Sequence, residues 1–520
     1  MIEAEVHLSL HNFLRSQAGF PSWPHHLTMA RLVARALRLG RSALIQVGAV
    51  SGYQGRYRTS FVASALMWHG PVIIVAPEEV QQRLLHVEIP RLQQWLQADK
   101  PIRTGDAWPS AEFQGLLLTS PAAWLKGQLA SSGHFPLNIP TIIDGVDDLE
   151  DWVRHQVTQD IQPHDWDGLM LACPNQAEAI RSARVQLTKE LFQHPANPYE
   201  CYLISQPEIE ILNHLYSVLE SVKGLPEPWQ LFWQQFQNIN ENLSPSSPPS
   251  LFWATIARRQ GLFSLHYAPI ELGKILSPIW QRQPVVLIGS ALESETEAPL
   301  FRQRFGLDDV TCLKFSSDTQ AEAIQLYLPH KLPLPNTPEF QAAFIHKVRT
   351  LLCLSATAPG LTVILVGDVP LKAQVGTILA SEFGSRVQVE KTCLDENGIL
   401  VSGWEFWREH QSVLPAPHLL VIATLPLPSL ENPLVAGRVA HYKRSHQDWF
   451  RLYLLPTALN ELQRAIAPVR GENQGIIALL DSRVVNRSYG AQILAALSPL
   501  ARINYLDPSL FSNANEENSA

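Results

Sequence analysis

The stretch ALIQVGAVSGYQGRYRTSFVASALMW, residues 43 to 68, holds three elements in a row. The run ALIQVG predicts a buried strand, the glycine-bearing segment after it a loop with basic residues, and the remainder a helix that begins near Arg58. Strand, glycine loop and helix follow one another in this order in phosphate-binding loops, where backbone N–H groups and a helix N-terminus face the anion. The pattern GxxxxGK[ST] also needs a lysine for the phosphates and a hydroxyl for the metal. Here the corresponding residues read GRYRTS, so Arg56, Arg58 and Thr59 are the only candidates to replace them. Arginine is planar and longer than lysine and does not place a compact point charge. Two readings follow: a phosphate site that binds without hydrolysing, or arginines on a loop surface that bind no nucleotide.

Outward from this stretch, short apolar runs recur between helical patterns: PVIIVAP, GLLLTS, PTIID, PVVLIGS, LTVILVG, LLVIAT and GIIALLD. Each is bounded by Gly, Pro, Ser, Thr or Asp, as strands of a parallel sheet covered on both faces should be. The fold class is α/β. The rhythm stops between Trp152 and about Gln260, where helical patterns replace it. Within them Trp229, Phe232, Trp233 and Phe236 fall on one helix face, which reads as a packing face ahead of a base-stacking one. The segment ENLSPSSPPS, residues 241 to 250, reads as a loop, and the tail SNANEENSA as disordered.

A chain of 520 residues with 46% hydrophobic and 17% charged residues has room for two or three core-forming domains. A net charge of -8 argues against coating nucleic acid by bulk charge, but leaves a local basic channel open. The N-terminal MIEAEVHLSLHNF carries acids where a signal peptide carries Lys or Arg, and no apolar run reaches membrane-spanning length, so a cytoplasmic protein is expected. The five cysteines are far apart and never in a C-x-x-C pair, so they read as buried thiols and not as a zinc or iron–sulfur site.

The segments at the strand ends fall in an order that resembles the DinG/XPD branch of the superfamily 2 DNA helicases. SWPHHLTMARLV is similar to the family's R-x-x-Q-x-x-M, with Trp23 and His26 at the Arg and Gln; TIIDGVDDLED stands at IIDEAHxLED. FSLHYAPIEL with VVLIGSALES resembles the approach to TSATL. SGWEFWREHQ, IATLPLPSLENPL, YLLPTALNELQRAIAPVR and IIALLDSRVVNRSYG track sFWEGvD, rLPFxxPxxP, lPxAxxxxxQGxGRLIR and vvilDxRxxxkxYG. The resemblance implies two RecA-like lobes with parallel sheets, ATP and Mg²⁺ between them, and single-stranded DNA across both. It divides the chain into a first lobe at 1–150 and, with its connection to the next, at 261–335, an inserted helical domain at 151–260, a second lobe at 336–510 and a tail at 511–520.

What the resemblance implies residue by residue is an eroded cleft. Nucleotide-binding positions fall on His26, Arg56, Arg58, Thr59, Asp144, Gln463 and Arg470. Asp144 stands at the Mg²⁺-orienting aspartate, but Gly145 replaces the general base, and Asp147 at the family's histidine is a poor substitute for it. Arg408 and Gln411 replace an acid pair. Ala467 replaces the inner arginine, and Pro468 after it should disturb the helix. No cofactor is implied unless the site still takes ATP and Mg²⁺, and the short connection after Leu92 leaves no room for an iron–sulfur subdomain. Such groups act together, so the expectation is a pseudo-helicase without ATP hydrolysis whose partner is single-stranded DNA or a protein of DNA metabolism. Lys126, Lys443 and Arg444 are the candidate nucleic-acid contacts. The alternative is an active ATP-dependent helicase with an unorthodox site.

Overall fold

The computed structural model describes residues 2–16, 23–130, 133–240, 249–315, 323–356, 358–470, 475–507 and 511. Each of the eight apolar runs is a strand in one of two seven-stranded parallel sheets, its residues almost wholly buried. The first sheet runs in spatial order Thr311–Lys314, Ala43–Gln46, Val285–Gly289, Thr141–Asp144, Val72–Val75, Leu116–Thr119, Ile102–Thr104. The second runs Val387–Val389, Ile399–Ser402, Leu361–Leu365, Pro417–Ile422, Ile476–Leu479, Ile324–Tyr327, Leu500–Ile503. Helices cover both faces of each sheet, giving each lobe two apolar layers. A fully buried Val, Leu or Ile contributes ~1.5–3 kcal/mol, and the only charged residues in these runs are the aspartates at the ends of two of them, Asp144 and Asp481.

Register decides what meets at the sheet edge. Gln46 lies opposite Gly289, and Ile288 opposite Asp144. The chain leaves these three neighbouring strands at their C-terminal ends, so residues 47–58, Ser290-Ala291 and Gly145–Asp148 converge on one crevice, the usual place for a ligand in an open α/β sheet.

The inserted region departs from expectation. It contains the helices Pro163–Ala172, Ala177–Gln193, Gln206–Leu219 and Glu227–Asn240, but also a four-stranded antiparallel sheet ordered Gln159–Ile161, Leu262–Pro269, Ser250–Ala257, Cys201–Leu203. The stretch FSLHYAP therefore pairs within the insert and not with the first lobe. Ile324–Tyr327, grouped above with the first lobe and its connection, is hydrogen-bonded into the second sheet. Trp229, Phe232, Trp233 and Phe236 are all buried in the insert's core, as a packing face should be. The cysteines also differ: Cys173 and Cys201 are buried, whereas Cys353 and Cys393 are exposed. Residues 241–248 and 512–520, read as loop and tail, lie outside the described residues. Among the described residues no helix is long and apolar enough to cross a membrane.

Candidate nucleotide cleft between the lobes

The helix after the glycine segment does begin at Arg58, running Arg58–Met67. The segment before it is not an open loop. Ala49–Gln54 is itself a short helix, entered at Gly48 and left at Gly55, both with positive φ (87° and 65°) that suits glycine. Within this segment Gly52 N donates to Gly48 O and Gly55 N to Ser51 O, both at 2.9 Å, and Arg58 N to Gly55 O at 3.2 Å. An anion cradle needs such donors turned outward together.

Arg58 is the centre of what replaces the cradle. Its guanidinium folds back over Gly55, where a Cβ would lie 2.3 Å from Nη1. Its Nε donates to Asp144 Oδ2 at 2.9 Å, while the Tyr57 hydroxyl donates to Oδ1 at 2.5 Å. The side chains of Arg58 and Asp144 are 13% and 1% exposed, so this is a buried ion pair and not a surface arginine. Burial works against the charge on Arg58, but Asp144 more than offsets it and the guanidinium stays ionised. Burial, with the Asp144 charge behind it, pushes the Tyr57 phenol well up, so it remains a donor.

The other positions turn inward too. His26 Nδ1 meets Ser60 Oγ at 2.9 Å in the core, and Trp23 packs edge-on to His26, Tyr57 and Phe315. Thr59 is buried, and Arg56 lines a small separate cavity with Arg83 and Glu88. Gly145 has φ 86°. Asp147 accepts from Ser290 N and Oγ and from Ala291 N at 2.7, 2.8 and 3.0 Å, so its carboxylate is committed to that loop. Gln463 donates to Ala496 O, and Arg470 to Leu497 O and Pro499 O, so both side chains are bonded within the second lobe. The helix Leu455–Ile466 gives way at Ala467–Arg470 to a 3-10 turn, where Pro468 was expected to disturb it. Lys126 is exposed on the first lobe, and Lys443 and Arg444 on the second; Lys443 Nζ lies 5.3 Å from the Trp449 ring centre.

Cross-lobe ties close the cleft. Arg464 grips Asp148 through both terminal nitrogens, at 2.6 and 3.2 Å. Tyr53 Oη donates to Gln411 O at 3.1 Å and Asn460 Nδ2 to Ala291 O at 3.0 Å. Arg408 Nη1 lies 3.7 Å from Asp151 and 3.9 Å from Glu461. Behind them Glu150 is ringed by Arg154, Arg304 and Arg438 at 2.8, 3.1 and 3.1 Å; burial opposes ionisation, but the three guanidiniums hold its pKa at about 2. Sequence reasoning missed Tyr57, Asp148, Glu150 and Arg464. Arg464 had a signal, since it stands at the first glycine of the QGxGRLIR pattern, and an arginine beside a cleft seeks an acid.

These residues do not fit ATP with Mg²⁺ as they stand. Both Asp144 oxygens accept from Tyr57 and Arg58, the N–H groups of Gly52, Gly55 and Arg58 are bonded to backbone carbonyls of the same segment, and the Arg58 side chain folds over Gly55.

Comparison with known proteins agrees with this architecture. Residues 416–500 match the helicase C-terminal domain. The ATP-dependent DNA helicase YoaA of Escherichia coli K12 is 22% identical over 270 residues, 49% of this chain and 42% of that protein. Its Haemophilus influenzae counterpart is 21% identical over 314 residues, 57% of this chain and 49% of that protein. The chain thus spans about half the length of these relatives. Among solved structures, apo XPD superposes over 92% of this chain and 100% of its own with a TM-score of 0.57 and 12% identity. Xpd4 of S. tokodaii does so over the same shares at 0.59 and 11%. Over about half its length the chain is homologous to the YoaA DNA helicases, it matches a helicase C-terminal domain at residues 416–500, and its two-lobed fold is similar to that of the XPD structures.

Proposed function

We propose that this protein is a pseudo-helicase: it keeps the lobes and holds single-stranded nucleic acid without hydrolysing ATP. The observation that carries the reading is the Tyr57–Asp144–Arg58 cluster, which puts a tethered cation beside the aspartate that its relatives' motif reserves for a metal. Phosphoryl transfer depends on positioning and charge neutralisation, and losing one preorganised donor typically costs ~2.7–4 kcal/mol of barrier. With no lysine in GRYRTS, no acid at Gly145 and no arginine at Ala467, turnover falls to background. The relatives' description as DNA helicases supports nucleic acid as the partner and the cytoplasm as the location.

The test has two parts. Calorimetry with MgATP, and ATPase assays with and without single-stranded DNA, should show neither binding nor turnover; DNA-stimulated hydrolysis abolished by Asp144→Ala would establish the opposite. Binding to single-stranded DNA without nucleotide should weaken steeply with salt, because contacts through Lys126, Lys443 and Arg444 are to phosphates and release counterions. A flat salt dependence, or no binding at low salt, would make a protein of DNA metabolism the better partner.

A further inference from the structure

Away from the nucleotide cleft, a cavity of about 590 Å³ opens where the two lobes meet. One wall is Glu150 and Arg154 with Arg304, another is Arg438, His441 and Tyr442 of the helix Pro433–Arg444, and a third is the start of the helix Gly273–Arg282 with Lys274. Its volume suits a small ligand, for which sites of ~300–1,000 Å³ are usual. Its charge is one-sided. Four full cations (Arg154, Arg304, Arg438, Lys274) face two carboxylates, Glu150 and Glu271, which leaves a surplus of two positive charges before His441 is counted.

Glu271 pairs with Lys274 at 2.8 Å and lies 3.5 Å from His441, and the surplus remains after both carboxylates are counted. Arg154 spends its nitrogens on Glu150, Pro269 O and Ile270 O, and Arg304 on Glu150 and Leu452 O. Arg438 bonds Glu150 and Tyr453 Oη through Nη1, yet its Nε is buried without a hydrogen-bond partner. A buried donor of a charged group left unmade is costly, and an oxygen anion that draws the guanidinium towards the cavity would recover that cost. Helix Gly273–Arg282 adds the positive end of its dipole to the same wall.

We propose that this cavity binds a phosphate monoester dianion, whose charge matches the surplus, carried by a free nucleotide-sized molecule or by the terminal phosphate of a nucleic-acid strand. Because Arg304 and Lys274 belong to the first lobe and Arg438 to the second, the ligand braces both. The site is independent of the nucleotide cleft and of whether ATP is hydrolysed.

The test is calorimetry on the full chain with inorganic phosphate, AMP, adenosine, and one oligonucleotide in 5′-phosphorylated and 5′-hydroxyl forms. Phosphate and AMP should bind one per chain and raise the melting temperature, with adenosine inert. A strand-end site prefers the phosphorylated oligonucleotide to both its hydroxyl form and AMP; a small-molecule site prefers AMP. Lys274, whose side chain is 67% exposed, can be replaced without touching the core. Lys274→Glu should weaken phosphate and AMP by about tenfold or more, since a charged hydrogen bond is replaced by repulsion. The exposed Lys189→Glu on the insert should leave them unchanged. No saturable binding below roughly 10 mM, beyond the weak millimolar range, overturns the proposal, as does equal weakening in both variants or none in Lys274→Glu.

Discussion

A carboxylate buried at the end of a strand must be neutralised by a cation, a metal or a proton. At Asp144 the neutralising group is covalently part of the chain: Arg58 and Tyr57 close on its two oxygens. Arg58→Ala should therefore destabilise the fold by about 3–5 kcal/mol, the usual cost of stripping one partner from a buried pair, read by chemical denaturation. Were the aspartate instead poised for a metal, removing the neighbouring cation would leave stability nearly unchanged. Restoring an acid should fail as well. Gly145→Glu puts a side chain at φ 86° beside an aspartate already saturated, so ATPase activity is expected to stay at background. The arginines and the missing base were visible in the sequence. That Arg58 points inward to Asp144 was not, because a residue type shows its charge and not the rotamer that delivers it.

The helix Ala49–Gln54 shows the same limit at the next scale. Its six residues, AVSGYQ, contain a glycine and too few turns for any periodicity, so it reads as loop, and only packing fixes it as helix. Gly52 is its contact point: a Cβ there would sit 2.2 Å from Ser290 Cβ. Gly52→Ala should overpack this contact and cost about 1–3 kcal/mol, measured as a fall in the denaturation midpoint. By contrast the eight apolar runs were legible as strands because a strand buried on both faces cannot alternate. The insert's sheet escaped notice for the complementary reason: Gln159–Ile161 and Cys201–Leu203 are three residues each, and Leu262–Pro269 alternates between buried and part-exposed positions.

Across the whole molecule, the two lobes are joined by groups far apart in sequence, such as Asp148 with Arg464 and Glu150 with Arg438, which no local pattern reveals. The Glu150 ring predicts a pH dependence. Its folded pKa of about 2 lies below the ordinary 4.5, so its stabilisation is complete above 4.5 and is lost as pH falls towards 2. The full linkage is about 3 kcal/mol, reduced by Asp151 and Glu461, which burial pushes up and which act in the opposite sense. Acid titration of Glu150→Gln should show a shallower loss between pH 4.5 and 2 than the parent, with both lobes unfolding together in the parent at neutral pH. The tethered cation beside Asp144 has a mechanical corollary. A motor advances because fuel enters and leaves, toggling the separation of its halves; a cleft whose counter-ion is bonded to the backbone has no second setting to visit. On the function proposed above, a strand lying across these lobes would be neither pulled nor released by such a cycle, and its dwell time would follow ionic strength.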